Sequence, residues 1–257
     1  MGQTFDVAII GGGIAGFSLA HYLGANRKVL ILEQEDAFGY HATARSAAEF
    51  AFRFHTPLVG KLAALSFPFL NNPPQDFSAV QLLRERGMIL IASEEKRARL
   101  DEVLATESAK TDRLRRFSRD EVLAAAPILN PDFFASAFFD PDCWDIEADA
   151  LFQGFRKSAS ANGTVAISKA RVASAERKSG YWQIDTHSGQ FEAAVVVNAS
   201  GAWADQTAVL FGAAPLAHAP LNRTMITVDI PVGIDWRSMP EVQEVDEDFY
   251  MKPDAGR

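Results

Sequence analysis

The stretch Phe5-Asp6-Val7-Ala8-Ile9-Ile10-Gly11-Gly12-Gly13-Ile14-Ala15-Gly16 decides the fold of this chain. An apolar run that stops at glycine has the look of a fully buried parallel strand. Beyond the glycines, Ile14 to Leu23 carries helical spacing, with Gly24 and Asn26 as terminators. Lys28-Val29-Leu30-Ile31-Leu32-Glu33 then reads as a second buried strand, and the three pieces make one βαβ unit. Gly11, Gly13 and Gly16 match G-x-G-x-x-G. The first glycine makes the tight turn, the second lets main chain approach a pyrophosphate, and the third lets helix and strand close up. Amides at the helix start, around Ile14 and Ala15, and the helix dipole favour an anion. Glycine-rich turns also occur for purely structural reasons. Here, however, Glu33 ends the second strand, with Gln34 beside it, where adenosine ribose hydroxyls would be met. An acid there repels a 2′-phosphate, which disfavours NADP.

The residues after the second strand separate NAD from FAD. An NAD domain would continue with another helix and a short parallel strand. Instead Gly39-Tyr-His-Ala-Thr43-Ala-Arg45-Ser46-Ala47-Ala48-Glu49 comes almost at once. Its small residues, with one Arg and hydroxyls, let backbone lie against a long extended ligand. Farther on, Ala193 to Asn198 reads as a buried strand that runs through Ala199-Ser200-Gly201-Ala202-Trp203 into a helix. Each feature alone is compatible with core packing; together they favour FAD.

Between these segments the order of elements is not a simple alternation. Helices are expected over Pro57–Leu70, Glu94–Glu107 and Glu147–Ala161, and a strand over Gly87–Ala92. Ser118 with Glu121 forms a capping box. A meander comes next at Thr164–Ser168, Arg171–Glu176, Tyr181–Thr186 and Phe191–Asn198, then a helix over Ala202–Leu210 and a strand over Arg223–Asp229. The expected fold class is α/β. A Rossmann-like FAD-binding domain of the glutathione-reductase type (1–56 and 147–218) is interleaved with a mixed, largely antiparallel α+β substrate domain (57–146 and 219–257).

Composition narrows the function classes. The chain has 257 residues, 48% hydrophobic and 23% charged, as in a globular protein with a substantial core. A net charge of -8 argues against a nucleic-acid partner, which needs clustered Lys and Arg. The runs Arg84–Arg86 and Arg113–Arg116 are flanked by acids and read as solvated faces. A single cysteine, Cys143, excludes the redox-active pair of the disulfide reductases and reads as a plain buried thiol. His41, His55 and His218 have no metal-ligand spacing, and no metal is expected. Neither a signal segment nor a long apolar run is present, so the expected location is the cytoplasm or the periphery of an inner membrane.

Four stretches carry a specific resemblance: Gly39-Tyr-His-Ala-Thr-Ala-Arg-Ser-Ala-Ala48, Asn72-Pro-Pro74, Val197-Asn-Ala-Ser-Gly-Ala-Trp203 and Asp248-Phe-Tyr-Met-Lys-Pro-Asp-Ala-Gly256. Through them the chain resembles the D-amino acid oxidase family of FAD-dependent oxidoreductases, most of all its D-arginine dehydrogenase type. The resemblance implies that Glu33 binds the adenosine ribose and that the Val172 backbone meets adenine. It also implies that Thr43, Arg45, Ser46, Ala47 and Ala48 line the flavin side. Arg223 and Tyr250 match positions that hold the substrate carboxylate, consistent with the planar donor fork of an Arg and the hydroxyl of a Tyr. Each is also compatible with an ordinary strand residue.

Departures from the family pattern shape the expected chemistry. Glu49 stands in place of a His near the flavin, Phe54 in place of a Tyr, and Gly87 in place of the acid that would grip a guanidinium. The resemblance therefore implies oxidation of the Cα–N bond of a D-amino acid or related amine, smaller, less basic or more apolar than arginine, by hydride transfer to flavin N5, giving an imino acid that hydrolyses to a 2-oxo acid and ammonia. Electrons would pass on to oxygen, a quinone or a protein. Glu49 is a candidate partner for the substrate ammonium, or simply a helix-start acid. Family members continue past Arg257, so a missing C-terminal part or a second chain is expected, with a catalytically incompetent flavin-binding fragment as the alternative.

Overall fold

The computed structural model describes residues 3–53, 56–222 and 224–253. In chain order the first half contains β1 (Gln3–Ile10), α1 (Ile14–Leu23), β2 (Val29–Leu32), β3 (Glu49–Ala51), α2 (Pro57–Asn71), β4 (Leu83–Glu85), β5 (Met88–Ala92) and α3 (Arg97–Ser108). Next come β6 (Arg115–Phe117), α4 (Arg119–Ala125), β7 (Ser136–Asp140), β8 (Cys143–Ile146) and α5 (Ala148–Ala161). The chain continues with β9 (Val165–Ile167), β10 (Val172–Lys178), β11 (Tyr181–Thr186), β12 (Gly189–Asn198), α6 (Ala204–Leu210), β13 (Glu241–Glu244) and β14 (Tyr250–Met251). The fold is mixed α/β, with parallel and antiparallel sheets, and divides into two compact units.

The first unit comprises Met1–Ala47, Pro73–Leu82 and Glu147–Arg223. Its six-stranded sheet has the order β10-β11-β12-β1-β2-β9. β1 lies parallel to both neighbours, with Ile9 opposite Val197 on one side and Ile31 on the other. Val7–Ile10 of β1 and all four residues of β2 are buried, which is why they read as continuous apolar runs. Phe5, Ile10, Leu30, Leu32, Ile184 and Phe191 form one core cluster. α1 packs on α5 through an edge-on contact of Phe17 with Phe152, and Phe38 from the loop after β2 meets the same Phe17 ring edge-on. A hydrogen bond between His21 Nδ1 and Ser158 Oγ (2.6 Å) ties the same two helices.

The second unit comprises Ala48–Asn72, Leu83–Ile146 and Thr224–Arg257. It holds a five-stranded sheet, β14-β13-β5-β7-β6, and a three-stranded sheet, β3-β8-β4. Only β13 with β5 is parallel; the other pairs are antiparallel. The capping box at α4 forms as the sequence implies, Glu121 N donating to Ser118 Oγ and Ser118 N to Glu121 Oε2 (2.8 Å). Such a cap contributes about 1 kcal/mol.

The structure corrects two expectations. Residues 224–229 form no strand, and Arg223 lies outside the described residues, as do Phe54 and His55. Alternation alone does not make a strand; it needs a partner edge and a face to bury, and Met225, Ile226 and Val228 are exposed. The Arg84–Arg86 run is not simply a solvated face either. Arg84 is exposed, but the side chain of Arg86 is 2% exposed and ion-paired with Asp145. The other run behaves as expected, Arg113, Arg115 and Arg116 being exposed and paired with Asp142, Glu121 and Asp101.

Candidate cofactor cleft and acidic site

Three parallel strands of the first unit end at one place. β1 runs into Gly11, β2 into Glu33 and β12 into Ala199. Because β2 and β12 flank β1 on opposite sides, their carboxyl ends enclose a crevice at the point where strand order reverses, the usual ligand position in such sheets. A cleft of about 660 Å³ opens there. Its lining includes Gly11, Gly13, Ile14, Ala15, Glu33 and Gln34, as well as Thr43, Val172, Ala199, Ser200, Gly201 and Trp203.

The glycines act in different ways. Gly11 has φ +115°, and a Cβ there would lie 2.3 Å from the Ala199 carbonyl oxygen, so β1 and β12 meet only because that position is bare. A Cβ on Gly16 would lie 2.1 Å from the Gly11 carbonyl oxygen, which locks the helix onto the turn. Gly13 is different: its Cβ would meet nothing nearer than Thr43 Oγ1 at 3.2 Å. It therefore presents main chain to the cleft, at the start of a helix whose first amides have no intrahelical acceptor. Thr43 Oγ1 accepts from Ile14 N (3.0 Å), and Gly13 as the helix cap brings no side chain of its own. Bare main chain at a helix N-terminus fits a diphosphate.

Glu33 is buried, and its carboxylate accepts from Gly12 N (2.7 Å) and Glu35 N (3.0 Å). These amides fix it at the cleft edge with lone pairs remaining for hydroxyl donors. Tyr40, His41 and His187 also line the cleft. Tyr40 and His41 belong to the Gly39–Glu49 stretch singled out above, whereas nothing in the sequence around His187 marked it; His41 is held by Glu35 (2.9 Å) and lies beside the Trp203 ring, 4.6 Å between centroids. Arg45, Ser46, Ala47 and Ala48 are not among the lining residues. The Arg45 guanidinium covers the Tyr40 ring at 4.7 Å.

The second unit carries a separate cluster of charge. Antiparallel pairing of β3 with β8 sets Glu49 opposite Asp145 and Ala51 opposite Cys143. Asp145 is buried; burial pushes its carboxyl up, but hydrogen bonds from Arg86 and Lys252 outweigh that and hold it below the usual range. Lys252 Nζ lies 3.0 Å from Asp145 Oδ1 and donates to the Ala48 carbonyl at 3.2 Å. Ala48 itself sits in the left-handed region, φ +57°. Cys143 Sγ faces Glu49 Oε1 at 3.7 Å. Burial, reinforced by the charges of Glu49, Glu241 and Asp140, pushes the thiol up, so it is protonated. Glu241, at the start of β13, is 1% exposed, and both its carboxylate oxygens lack a hydrogen-bond partner. Burial first, and then the neighbouring Glu49 carboxylate, push Glu241 up to about 9. Tyr250 is half-buried on β14 opposite Gln243.

Residues 6–257 match the family described as FAD dependent oxidoreductase, DAO. The chain belongs to that family. FAD is its cofactor, and the cleft residues fit that molecule's diphosphate and ribose. This DAO-family chain is 27% identical to FAD-dependent oxidoreductase domain-containing protein 1 of Bos taurus, covering 88% of this chain and 53% of the relative. It is 26% identical to the glycine oxidase of Geobacillus kaustophilus, covering 91% of this chain and 64% of that protein. The crystal structure of the Geobacillus kaustophilus glycine oxidase superposes with a TM-score of 0.81 at 23% identity, over 99% of this chain and 69% of that one. The chain thus spans between about half and two thirds of the curated relatives named here. Among the described residues no helix is long and apolar enough to cross a membrane.

Proposed function

We propose that this chain is the flavin-binding part of an enzyme that oxidises the Cα–N bond of a small amino acid or N-substituted amine. The observation that supports this most is the crevice at the ends of β1, β2 and β12, where bare main chain at Gly13 and a fixed Glu33 carboxylate lie together. On this reading Gly11, Gly13, Ile14 and Ala15 hold the diphosphate, Gly16, which does not line the cleft, closes the helix onto that turn, and Glu33 with Gln34 holds the ribose. Thr43, Val172, Ala199, Ser200, Gly201 and Trp203 bound the rest. Arg45, Ser46, Ala47 and Ala48 belong to the segment facing the flavin.

When bound, FAD supplies the two-electron acceptor for a hydride from the substrate Cα. The product imino acid hydrolyses in water to a 2-oxo acid and ammonia, or to a 2-oxo acid and the corresponding amine where the substrate nitrogen is substituted. The chain's own part is positioning. Arg223 and Tyr250 anchor the carboxylate, and Glu49 draws the ammonium. Gly87 offers no carboxylate to a guanidinium, which supports a small or apolar amine over D-arginine.

Anaerobic reduction of the FAD-loaded chain by glycine, sarcosine, D-alanine and D-arginine tests the reading. Reduction by a small amine and weak reduction by D-arginine is the expected result; efficient D-arginine turnover would overturn the substrate class. A second reading is a flavin-binding chain without turnover of its own. Stable FAD binding with no reduction by any amine would select it.

A further inference from the structure

Glu49, Cys143 and Glu241 come from β3, β8 and β13, and the fold brings one ligand-type atom from each within 4.8 Å of the others. Nothing in their spacing marks them as a set. Glu241 is buried, no N–H or O–H donor among the described residues reaches either of its oxygens, and its carboxylate is aimed into this group against that of Glu49. Cys143 is equally buried. A buried carboxylate without donors is costly, and two carboxylates side by side raise the cost. Neighbouring cations do not resolve it. Lys252 is engaged by Asp145 and the Ala48 carbonyl, and the Arg86 guanidinium by Asp145, the Arg237 carbonyl and the Met239 carbonyl.

We propose that Glu49, Cys143 and Glu241 form a site for a single divalent metal ion of the zinc class. Thiolate and carboxylate are both zinc ligands, at about 2.3 and about 2.0–2.2 Å, and two such ligands at a tetrahedral angle lie roughly 3.5 Å apart. The distance from Cys143 Sγ to Glu49 Oε1 is 3.7 Å. A small ion fits between these atoms, and one charge of +2 would satisfy both the unpartnered Glu241 and the crowded Glu49. Binding breaks the Cys143 S–H bond and displaces any proton held between the carboxylates, with those protons leaving to solvent. Three protein ligands leave a fourth position for water, the pattern of open zinc sites. The ion and the ammonium role proposed above for Glu49 exclude one another, since a Glu49 carboxylate that ligates a metal is not free to draw a substrate ammonium; zinc uptake is therefore measured directly and not through amine oxidation.

The test uses the whole chain, stripped with a strong chelator and then titrated with Zn²⁺ against a chromophoric competitor, with Co²⁺ as a spectroscopic substitute. Expected are one equivalent of Zn²⁺ and a thiolate-to-cobalt charge-transfer band. Cys143→Ser should lose the band. Glu241→Gln should weaken binding by at least the roughly hundredfold that accompanies loss of a group supporting a metal ligand. Circular dichroism identifies any variant that misfolds, and Cys143→Ala and Glu241→Asp then replace it. The wild-type measurement is decisive in itself. Stripped wild-type chain that takes up no Zn²⁺ would overturn the site in favour of a proton shared by the two carboxylates. Uptake unchanged in both variants would place the metal elsewhere and overturn it equally.

Discussion

Replacing Gly13 by alanine should separate cofactor binding from folding. The residue has φ −87° and ψ −171°, an extended conformation open to alanine. The added methyl would touch Thr43 Oγ1 at 3.2 Å and disturb that hydroxyl's bond to Ile14 N. Losing such a bond costs about 1 kcal/mol, which the domain tolerates. The same methyl stands where main chain must approach the diphosphate. A charge-assisted amide–phosphate bond contributes about 1.5–3 kcal/mol, and at the upper end its loss weakens Kd on the order of a hundredfold. Gly11→Ala and Gly16→Ala are the contrasting controls. Their methyls would lie 2.3 and 2.1 Å from backbone oxygens, and Gly11 has a positive φ as well, so both should lose the folded state rather than affinity alone. The assay is FAD titration of the apo chain by quenching of flavin fluorescence, beside thermal melts of all three variants. A folded Gly13→Ala chain with wild-type FAD affinity would refute the assignment of this turn to the diphosphate.

Three further outcomes rest on named contacts. Glu33→Gln keeps the side-chain shape but removes the charge that accepts from Gly12 N and Glu35 N; FAD binding measured by the same titration should weaken by about 10- to 100-fold. Arg86→Met should lower unfolding free energy in urea by about 3–5 kcal/mol, because Asp145 and two carbonyls lose buried donors. Arg116→Ala, which breaks only an exposed pair with Asp101, should cost under about 1 kcal/mol, and equal losses would contradict the burial argument. His21 is lowered below its ordinary value by burial, so the native state binds fewer protons than the unfolded one. Its contribution is present above about pH 6.5 and is lost as pH falls through the lower folded value. The difference in melting temperature between wild type and His21→Asn should therefore shrink between about pH 7.5 and about pH 5; a constant gap would exclude this titration.

The βαβ start was legible because everything that specifies it is local. Apolar runs end at glycines, the first of them in a backbone conformation that side chains rarely adopt, and Glu33 reaches Gly12 across a single helix and turn. The meander was legible for the same reason, its strands being neighbours in both sequence and space. Short strands such as β3, β4 and β13 were not, since they owe their existence to distant partners, Glu49 pairing with Asp145 and Glu241 with Met88. Arg86 resembled a surface residue until Asp145, far along the chain, closed over it. Residues 224–229 misled in the opposite sense, with strand-like alternation but no edge to join. At the candidate site, the cleft glycines and Glu33 could be read directly. Glu241 could not, because an acid beside Pro240 carries no local sign of burial.

The most direct measurement is the identity and stoichiometry of the dinucleotide that the purified chain holds, by visible absorption and by chromatography of the released ligand. The expected result is a yellow protein with stoichiometric FAD that the Gly13→Ala chain fails to retain. A protein that stays colourless after refolding with excess FAD, or one that takes up NAD in its place, would contradict a flavin cleft at the Gly11–Gly16 turn.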